Sequence, residues 1–464
     1  MKNNNPSDPR KLLADSPMSR AQILVIAAAV GLYALDGFDV LSISFAAPGI
    51  AAEWSIDRAT LGIVLSMELI GMCVGSILLG ALADRVGRRP VVLICLAVMS
   101  IGMFMVTTVR GLVDLSLWRV VTGIGIGGVL AAITAVAAEF SNDQRRHLCV
   151  SLVTIGYPIG AVIGGSVSAQ LLGTFDWRSV FYFGAATTLI FIPIVYFCMP
   201  ESVHWLVQKQ PAAALARVNS TLRRFGHQAV SKLPFVSEGV RRRSIGDIFT
   251  GSLLVTTVIV TAAYFFHITT FYFILKWVPK IVADMGFAAS SAAGVLVWAN
   301  VGGAIGGALF GLLTLRYNVK SLTLAILVLS GITVSIFGRS PDNLQALSAF
   351  AAIAGFCTNA GVVGMYAIFA HAFPTHVRAF GTGFAIGVGR GGSVLAPILA
   401  GILFEAGIGL AGVAFAMAMG SVLAAGILLF LRLDRAQASL DDDELATATN
   451  DTEESGVASA RAVS

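Results

Sequence analysis

Charge is what this chain has least of. Of its 464 residues only 12% are Asp, Glu, Lys or Arg, about half the share found in soluble domains. With 56% hydrophobic residues in long uncharged runs, that deficit excludes a soluble globular domain. It leaves a protein that crosses a membrane many times. Cysteine is sparse and scattered: Cys73, Cys95, Cys149, Cys198 and Cys357 stand singly. With no CxxC and no Cys/His cluster, neither a disulfide framework nor a metal site is expected. No nucleophile–base set is visible, so no enzyme and no cofactor is expected. The glycine run Gly123 to Gly128 has no strand before it and no phosphate-binding lysine after it. It reads as close helix packing in lipid rather than a nucleotide loop, and no ATPase domain is present. The net charge of +5 sits in loops beside apolar segments, which does not indicate nucleic acid. The polar N-terminus lacks a cleavage site after a short apolar core, so 1–21 reads as a cytoplasmic tail.

What is present is apolar length. About 20 apolar residues cross a bilayer as a helix. Spans are expected near 22–50, 60–82, 91–109, 114–138, 148–171, 178–198, 252–278, 290–313, 319–337, 346–371, 379–403 and 410–432. A polar, basic central loop, 200–250, separates a six-helix bundle at 22–199 from a second at 251–433. It carries Arg217, Arg223, Arg224 and Arg241–Arg243. The tail 434–464, with Asp441–Glu444, has the composition of a disordered cytoplasmic segment. Of the 31 lysines and arginines, Arg58, Arg110, Arg178, Lys276, Lys280 and Arg339 fall on one side. Arg119 and Arg390 fall inside spans, and all the others fall on the tail side. That bias orients both termini to the cytoplasm.

The halves also repeat. Gly80–Arg89 after the second span is echoed by Gly311–Lys320 after the eighth, and Glu139 with Arg146 by His371 with Arg378. The expected fold is an all-α membrane protein of twelve transmembrane helices in two pseudo-symmetric six-helix bundles, with a site at their interface.

Charges inside spans are costly, roughly 2.5–3.5 kcal/mol each on insertion scales. Leu35-Asp36-Gly37-Phe38-Asp39-Val40 holds two carboxylates three residues apart, on one helix face. They face a polar cavity, or one of them is simply solvated near the surface. As cavity groups they are candidate proton carriers. Arg119 is either their counter-charge or a snorkelling residue; the adjacent Thr122 and glycine run favour the cavity. Arg390 lies between glycines in Gly387-Val-Gly-Arg-Gly391. It is read as the ligand of a substrate carboxylate, which it can grip bidentately, with a structural ion pair as the alternative. Glu68 has no partner visible in sequence. His267, at the position of the second half equivalent to Asp36, is a substrate donor or proton relay, or a histidine satisfied by its neighbours. Asn300 and Asn359 are polar cavity candidates. Tyr264, Phe265, Phe266, Phe271, Tyr272 and Phe273 surround His267 in sequence. They offer faces to an aromatic ligand or to lipid.

Gly80-Ala-Leu-Ala-Asp84-Arg85-Val-Gly87-Arg88-Arg89 resembles the G-x-x-x-D-R-x-G-R-R loop of the major facilitator superfamily, across essentially residues 20–435. The resemblance implies a gating latch of Gly80, Asp84, Arg85, Gly87, Arg88 and Arg89, with Asp84 paired to an arginine of the other half. Asp36-Gly-Phe-Asp39, Leu117-Trp-Arg119 with Gly123–Gly128, and Glu139 resemble the aromatic acid:proton symporters of that superfamily. So do Pro374, Arg378, Gly381 and Gly387–Gly391, with Pro397 after them. The resemblance implies functional importance at Asp36, Asp39, Arg119 and Glu139. It further implies import of a small, aromatic carboxylate with protons, in a monomer of the bacterial inner membrane. Pro200-Glu-Ser-Val-His204-Trp-Leu206 resembles a signature shared with sugar porters, but His204 stands where Arg is usual, which makes that latch weaker or pH-sensitive. Lys276 of Lys276-Trp-Val-Pro279 stands where Ser is usual. Another organic anion, a sugar or polyol, efflux, and a membrane sensor are the rival readings.

Overall fold

The computed structural model describes residues 8–234, 248–249, 251–373 and 377–431. Of His147, Gly251, Ser252 and Ala379 it describes the backbone alone. Arg241–Arg243, Pro374 and the acidic tail lie outside the described residues. The described residues form the helices α1 Pro9–Asp15, α2 Arg20–Trp54, α3 Arg58–Val86, α4 Arg88–Val106, α5 Leu112–Glu139, α6 Arg146–Leu171, α7 Arg178–Cys198, α8 Val203–Lys209, α9 Ala214–Arg224, α10 Gly251–Asp284, α11 Ala289–Leu313, α12 Val319–Phe337, α13 Leu344–Ala372, α14 Arg378–Glu405 and α15 Leu410–Leu429. Twelve of these are long and apolar enough to cross a membrane, and this is an integral, multi-pass membrane protein. Part of the stretch read as a loop is ordered as α8 and α9.

Local chemistry sets the helix ends. Ser19 and Gln22 form a capping box at the start of α2, and the Asp57 side chain caps α3 by accepting from the Thr60 amide. Each satisfies amides that have no partner within the helix. Between α3 and α4 the turn passes through Gly87 at φ +111°, a conformation that favours glycine.

The repeat seen in sequence extends to the architecture. α2 to α7 and α10 to α15 are two sets of six helices, and each helix of the second set starts 231 or 232 residues after its counterpart. Even capping is repeated. Arg89 donates to the Tyr196 carbonyl at the end of α7. Lys320, its counterpart, donates to the Leu429 and Leu431 carbonyls at the end of α15. Both cations satisfy orphan carbonyls at a helix C-terminus.

The two bundles are closed at one face only. At the face where α2 and α10 end, one apolar core takes Phe45, Ile50 and Phe181 from the first bundle and Trp277, Leu296 and Phe337 from the second. At the opposite face, which carries α1, α8 and α9, the cores are separate. Val92, Ile133 and Leu206 belong to one, and Val260, Leu327 and Phe369 to the other. We call these the far face and the tail face.

Candidate functional site: two charge clusters between the bundles

The first cluster is sealed. α3 and α5 pack with their backbones almost in contact, because a Cβ on Gly123 would lie 2.1 Å from the Glu68 carbonyl, and one on Gly71 2.2 Å from the Val120 carbonyl. That closeness lets Arg119 reach across to Glu68. The Arg119 guanidinium pairs with Glu68 Oε2, donates to the Asp39 carbonyl at 3.3 Å and lies over the Phe181 ring. Both side chains are 0% exposed, so Arg119 does not snorkel. Its anion is Glu68: a buried guanidinium needs a buried anion, and Glu68 supplies it.

A second cation enters from the other bundle. Lys276 on α10 is fully buried, donates to the Val40 carbonyl and lies 3.5 Å from the same Glu68 oxygen. Sequence placed Lys276 outside the membrane core. In fact α10 continues to Asp284, which keeps Lys276 inside the helix and turns it toward the first bundle. Beside this triad, both carboxylate oxygens of Asp39 are buried with no hydrogen-bond partner among the described residues. Gly37, between the two aspartates, lets α2 meet α6: a Cβ there would lie 2.0 Å from the Tyr157 carbonyl.

The second cluster is open. Arg390 on α14 is half-buried. No described residue gives its guanidinium a hydrogen bond or ion pair. It lies within electrostatic range of Asp36, Cys73, Tyr33, Tyr264, Tyr272 and Tyr366. These come from α2, α3, α10 and α13, so the cluster sits between the bundles. Tyr264 and Tyr366 share a hydrogen bond at 3.2 Å. Nearby, a narrow crevice of about 20 Å³, room for about one water, is lined by Tyr157, Phe271, Asn300, Thr358 and Asn359, among others. Asn300 donates to the Leu296 carbonyl of its own helix and Asn359 to the Gly303 carbonyl, which leaves both amide oxygens for a ligand.

Other expected site residues fall elsewhere. His267 is fully buried and both ring nitrogens are taken. Nε2 faces the Thr358 carbonyl and so donates, while Nδ1 meets the Ser421 hydroxyl. It ties α10 to α13 and α15. In this state His267 is a histidine satisfied by its neighbours, the alternative to a substrate donor. Glu139 lies 20 residues beyond Arg119 on α5, ~30 Å along the helix, and away from the aspartates. It joins the tail-face loop, where Arg88 bridges Asp84 at 2.6 Å and Glu139 at 3.5 Å.

In that loop Asp84 pairs with Arg88 of its own bundle, not with the other half as expected, since the bundles have separate cores at this face. Gly87 turns against Glu201, whose carboxylate accepts from the Arg88 amide at 2.8 Å and caps α4. Arg89 stacks on Tyr196, Gly80 allows close approach to Ala131, and Arg85 is exposed. His204 is half-buried and its Nδ1 has no partner. Burial pushes its pKa below the usual histidine value, helped by Arg10 and Arg146 and opposed by Asp8 and Asp143. Among the described residues no group of His, Cys, Asp and Glu could hold a metal ion.

Two matching sets of six membrane-long helices, with charged groups buried on the line between them, define a membrane transporter built from duplicated halves. The chain belongs to the major facilitator superfamily, whose family model matches residues 29–301 and again, with overlap, 260–458. It is 29% identical over 405 residues to a 4-hydroxybenzoate transporter of Acinetobacter baylyi, covering 85% of this chain and 88% of that one. It is 27% identical to a gallate transporter of Pseudomonas putida, covering 87% and 90%. To the 3-(3-hydroxy-phenyl)propionate transporter of Escherichia coli it is 28% identical, covering 86% and 91%. These relatives bear out the resemblance to the aromatic acid:proton symporters, and they are transporters rather than enzymes. Among solved structures, a D-xylose-proton symporter superposes with a TM-score of 0.68 at 18% identity, covering 88% of this chain and 96% of that one. The inward-open xylose transporter of E. coli superposes with 0.65 at 18%, covering 90% and 98%. These likenesses concern the fold alone.

Proposed function

We propose that this protein imports a small aromatic carboxylate together with protons, across a bacterial inner membrane, with both termini in the cytoplasm. The observation that carries the reading is the unpaired guanidinium of Arg390, half-buried between two bundles and ringed by tyrosines. A cation left without an anion in such a place is suited to an anionic ligand. The tyrosines and Phe271 supply faces and edges for an aromatic ring. The relatives named as transporters of 4-hydroxybenzoate, gallate and a hydroxyphenylpropionate support an aromatic acid over a sugar. In this reading Asp39, with two unpartnered oxygens, and Asp36, beside Arg390, carry exchangeable protons. The Asp84–Arg89 loop with Glu139 latches the tail face when the bundles rock.

Uptake of labelled benzoate, 4-hydroxybenzoate, nicotinate and muconate into proteoliposomes tests this. The expected result is accumulation of one or more aromatic acids, driven by an inward proton gradient and abolished by a protonophore. Accumulation of xylose and of none of the acids contradicts it.

A further inference from the structure

Lys276 has no role in the reading just given, yet it is the one described cation that crosses from the second bundle into the sealed cluster. Its ammonium touches only first-bundle atoms there: the Val40 carbonyl and Glu68 Oε2. That oxygen also holds Arg119, so one carboxylate is shared by a cation from each bundle. The surrounding contact between bundles is the apolar far-face core and a few polar links near its rim, such as Arg58 with Asp284. Parting the far face must draw Lys276 off Glu68 while Arg119 stays, because α3 and α5 belong to one bundle. The titratable and charged groups facing Lys276 are thus Glu68 on α3 and Arg119 on α5; Asp39 and Asp36 on α2 lie within electrostatic range of Glu68. Arg390 on α14 lies beyond them at Asp36. No anion on α10 itself faces it.

We propose that Lys276 expels the coupling proton as the far face closes. This rests on the proton-symport reading. With the far face open, the Glu68 carboxyl can hold a proton, since only one cation favours its charged form. Closure brings the Lys276 ammonium to Glu68, which then favours the carboxylate. The O–H bond of Glu68 breaks, its electron pair stays on the carboxylate, and the proton passes to the carboxylate of Asp39, whose two oxygens have no partner among the described residues. Lys276 touches no substrate and acts as a positioning residue, one that ties the protonation of a first-bundle acid to the position of the second bundle.

The test needs no transport. Spin labels at Thr174→Cys and Asp342→Cys, on exposed far-face loops of the two bundles, report the far-face distance in lipid nanodiscs. A Cys73→Ser, Cys198→Ser background removes the two cysteines that are not fully buried. In otherwise wild-type protein the longer-distance population is expected to grow as pH falls from 8 to 5, with a ratio changing about tenfold. In Lys276→Met, and in the smaller Lys276→Ser, that pH response should vanish, while Lys276→Arg keeps it. Substrate exchange should persist in Lys276→Met with gradient-driven accumulation lost. A pH response in Lys276→Met equal to that of the wild type overturns the proposal, as does a wild type with no response. Failure of the wild type to accumulate any acid under a proton gradient overturns the symport reading instead, whatever the label distances show.

Discussion

The helix pairs α3–α5 and α11–α13 are built alike and equipped differently. Gly71, Gly75 and Gly123 of the first pair recur as Gly302, Gly306 and Gly355 of the second, 231 or 232 residues on. Each set brings two backbones together: a Cβ on Gly123 would lie 2.1 Å from the Glu68 carbonyl, and one on Gly355 2.0 Å from the Ala299 carbonyl. The charges did not recur. Where the first pair has Glu68 and Arg119, the second has Ala299 and Ala351. The glycines are thus the common scaffold, needed in any tight helix pair in lipid. The buried ion pair is an addition to one copy, and an addition of this cost points to a task.

If that separation is right, the glycines should be interchangeable in their effect. Gly123→Val and Gly355→Val should each lose nearly all folded protein from detergent-solubilised membranes, read by size-exclusion chromatography. Each forces carbon into a backbone oxygen, beyond the about 1–3 kcal/mol of ordinary overpacking. Folding of one variant and not the other breaks the comparison. The charges, by contrast, should matter in one copy only. Glu68→Ala strands Arg119 and Lys276 in a dry interior and should cost about 3–5 kcal/mol, seen as a large fall in Tm. Adding Arg119→Leu and Lys276→Met should recover part of that loss, because the stranded cations go too. A further fall with each substitution removes the ion network from the account.

Between the two aspartates a functional contrast is expected. Asp39→Asn should abolish proton-driven accumulation, by about tenfold or more, and leave exchange of substrate across the membrane intact. Unchanged accumulation removes Asp39 from the proton path.

The smallest effect lies at the tail face. Burial holds His204 below its ordinary pKa of 6.5, so the folded state takes up its proton less readily than the unfolded chain. Stability contributed by this site is therefore full above about pH 6.5 and is lost as pH falls from there toward the lowered folded value. Leu13 of α1 shares a core with Trp205 and Leu206 of α8, so the loss should appear as lower hydrogen-exchange protection factors, taken relative to the intrinsic rate, for α1 and α8 at pH 5 than at pH 7. His204→Gln should flatten that difference. An unchanged difference in the variant assigns the pH response to another group.

Much of this arrangement was legible in the sequence because lipid is a strict solvent. Only long apolar helices satisfy their backbones there, so twelve spans and their repeat could be read directly. An intramembrane carboxylate or arginine stands out for the same reason. What could not be read was pairing. Glu68 acquires a meaning only when the Gly123 contact brings Arg119 beside it. Lys276 looked like an outer-loop cation because Trp277-Val-Pro279 resembles a span end, whereas α10 carries on through Pro279 to Asp284. Symmetry says little about His267: occupying the position equivalent to Asp36 does not give it the same surroundings, and Ser421 and Thr358 are its partners here.

Arg119 and Arg390 present the same residue in similar glycine-rich helices, one engaged and one free, and the account rests on that difference. Binding of benzoate and of its uncharged methyl ester to purified protein, by calorimetry, tests it most directly. Wild type should favour the acid over the ester, and Arg390→Ala should bind the two about equally, losing roughly 1.5–3 kcal/mol of charge-assisted contact. An Arg390→Ala protein that still prefers the acid as strongly as wild type does would contradict it.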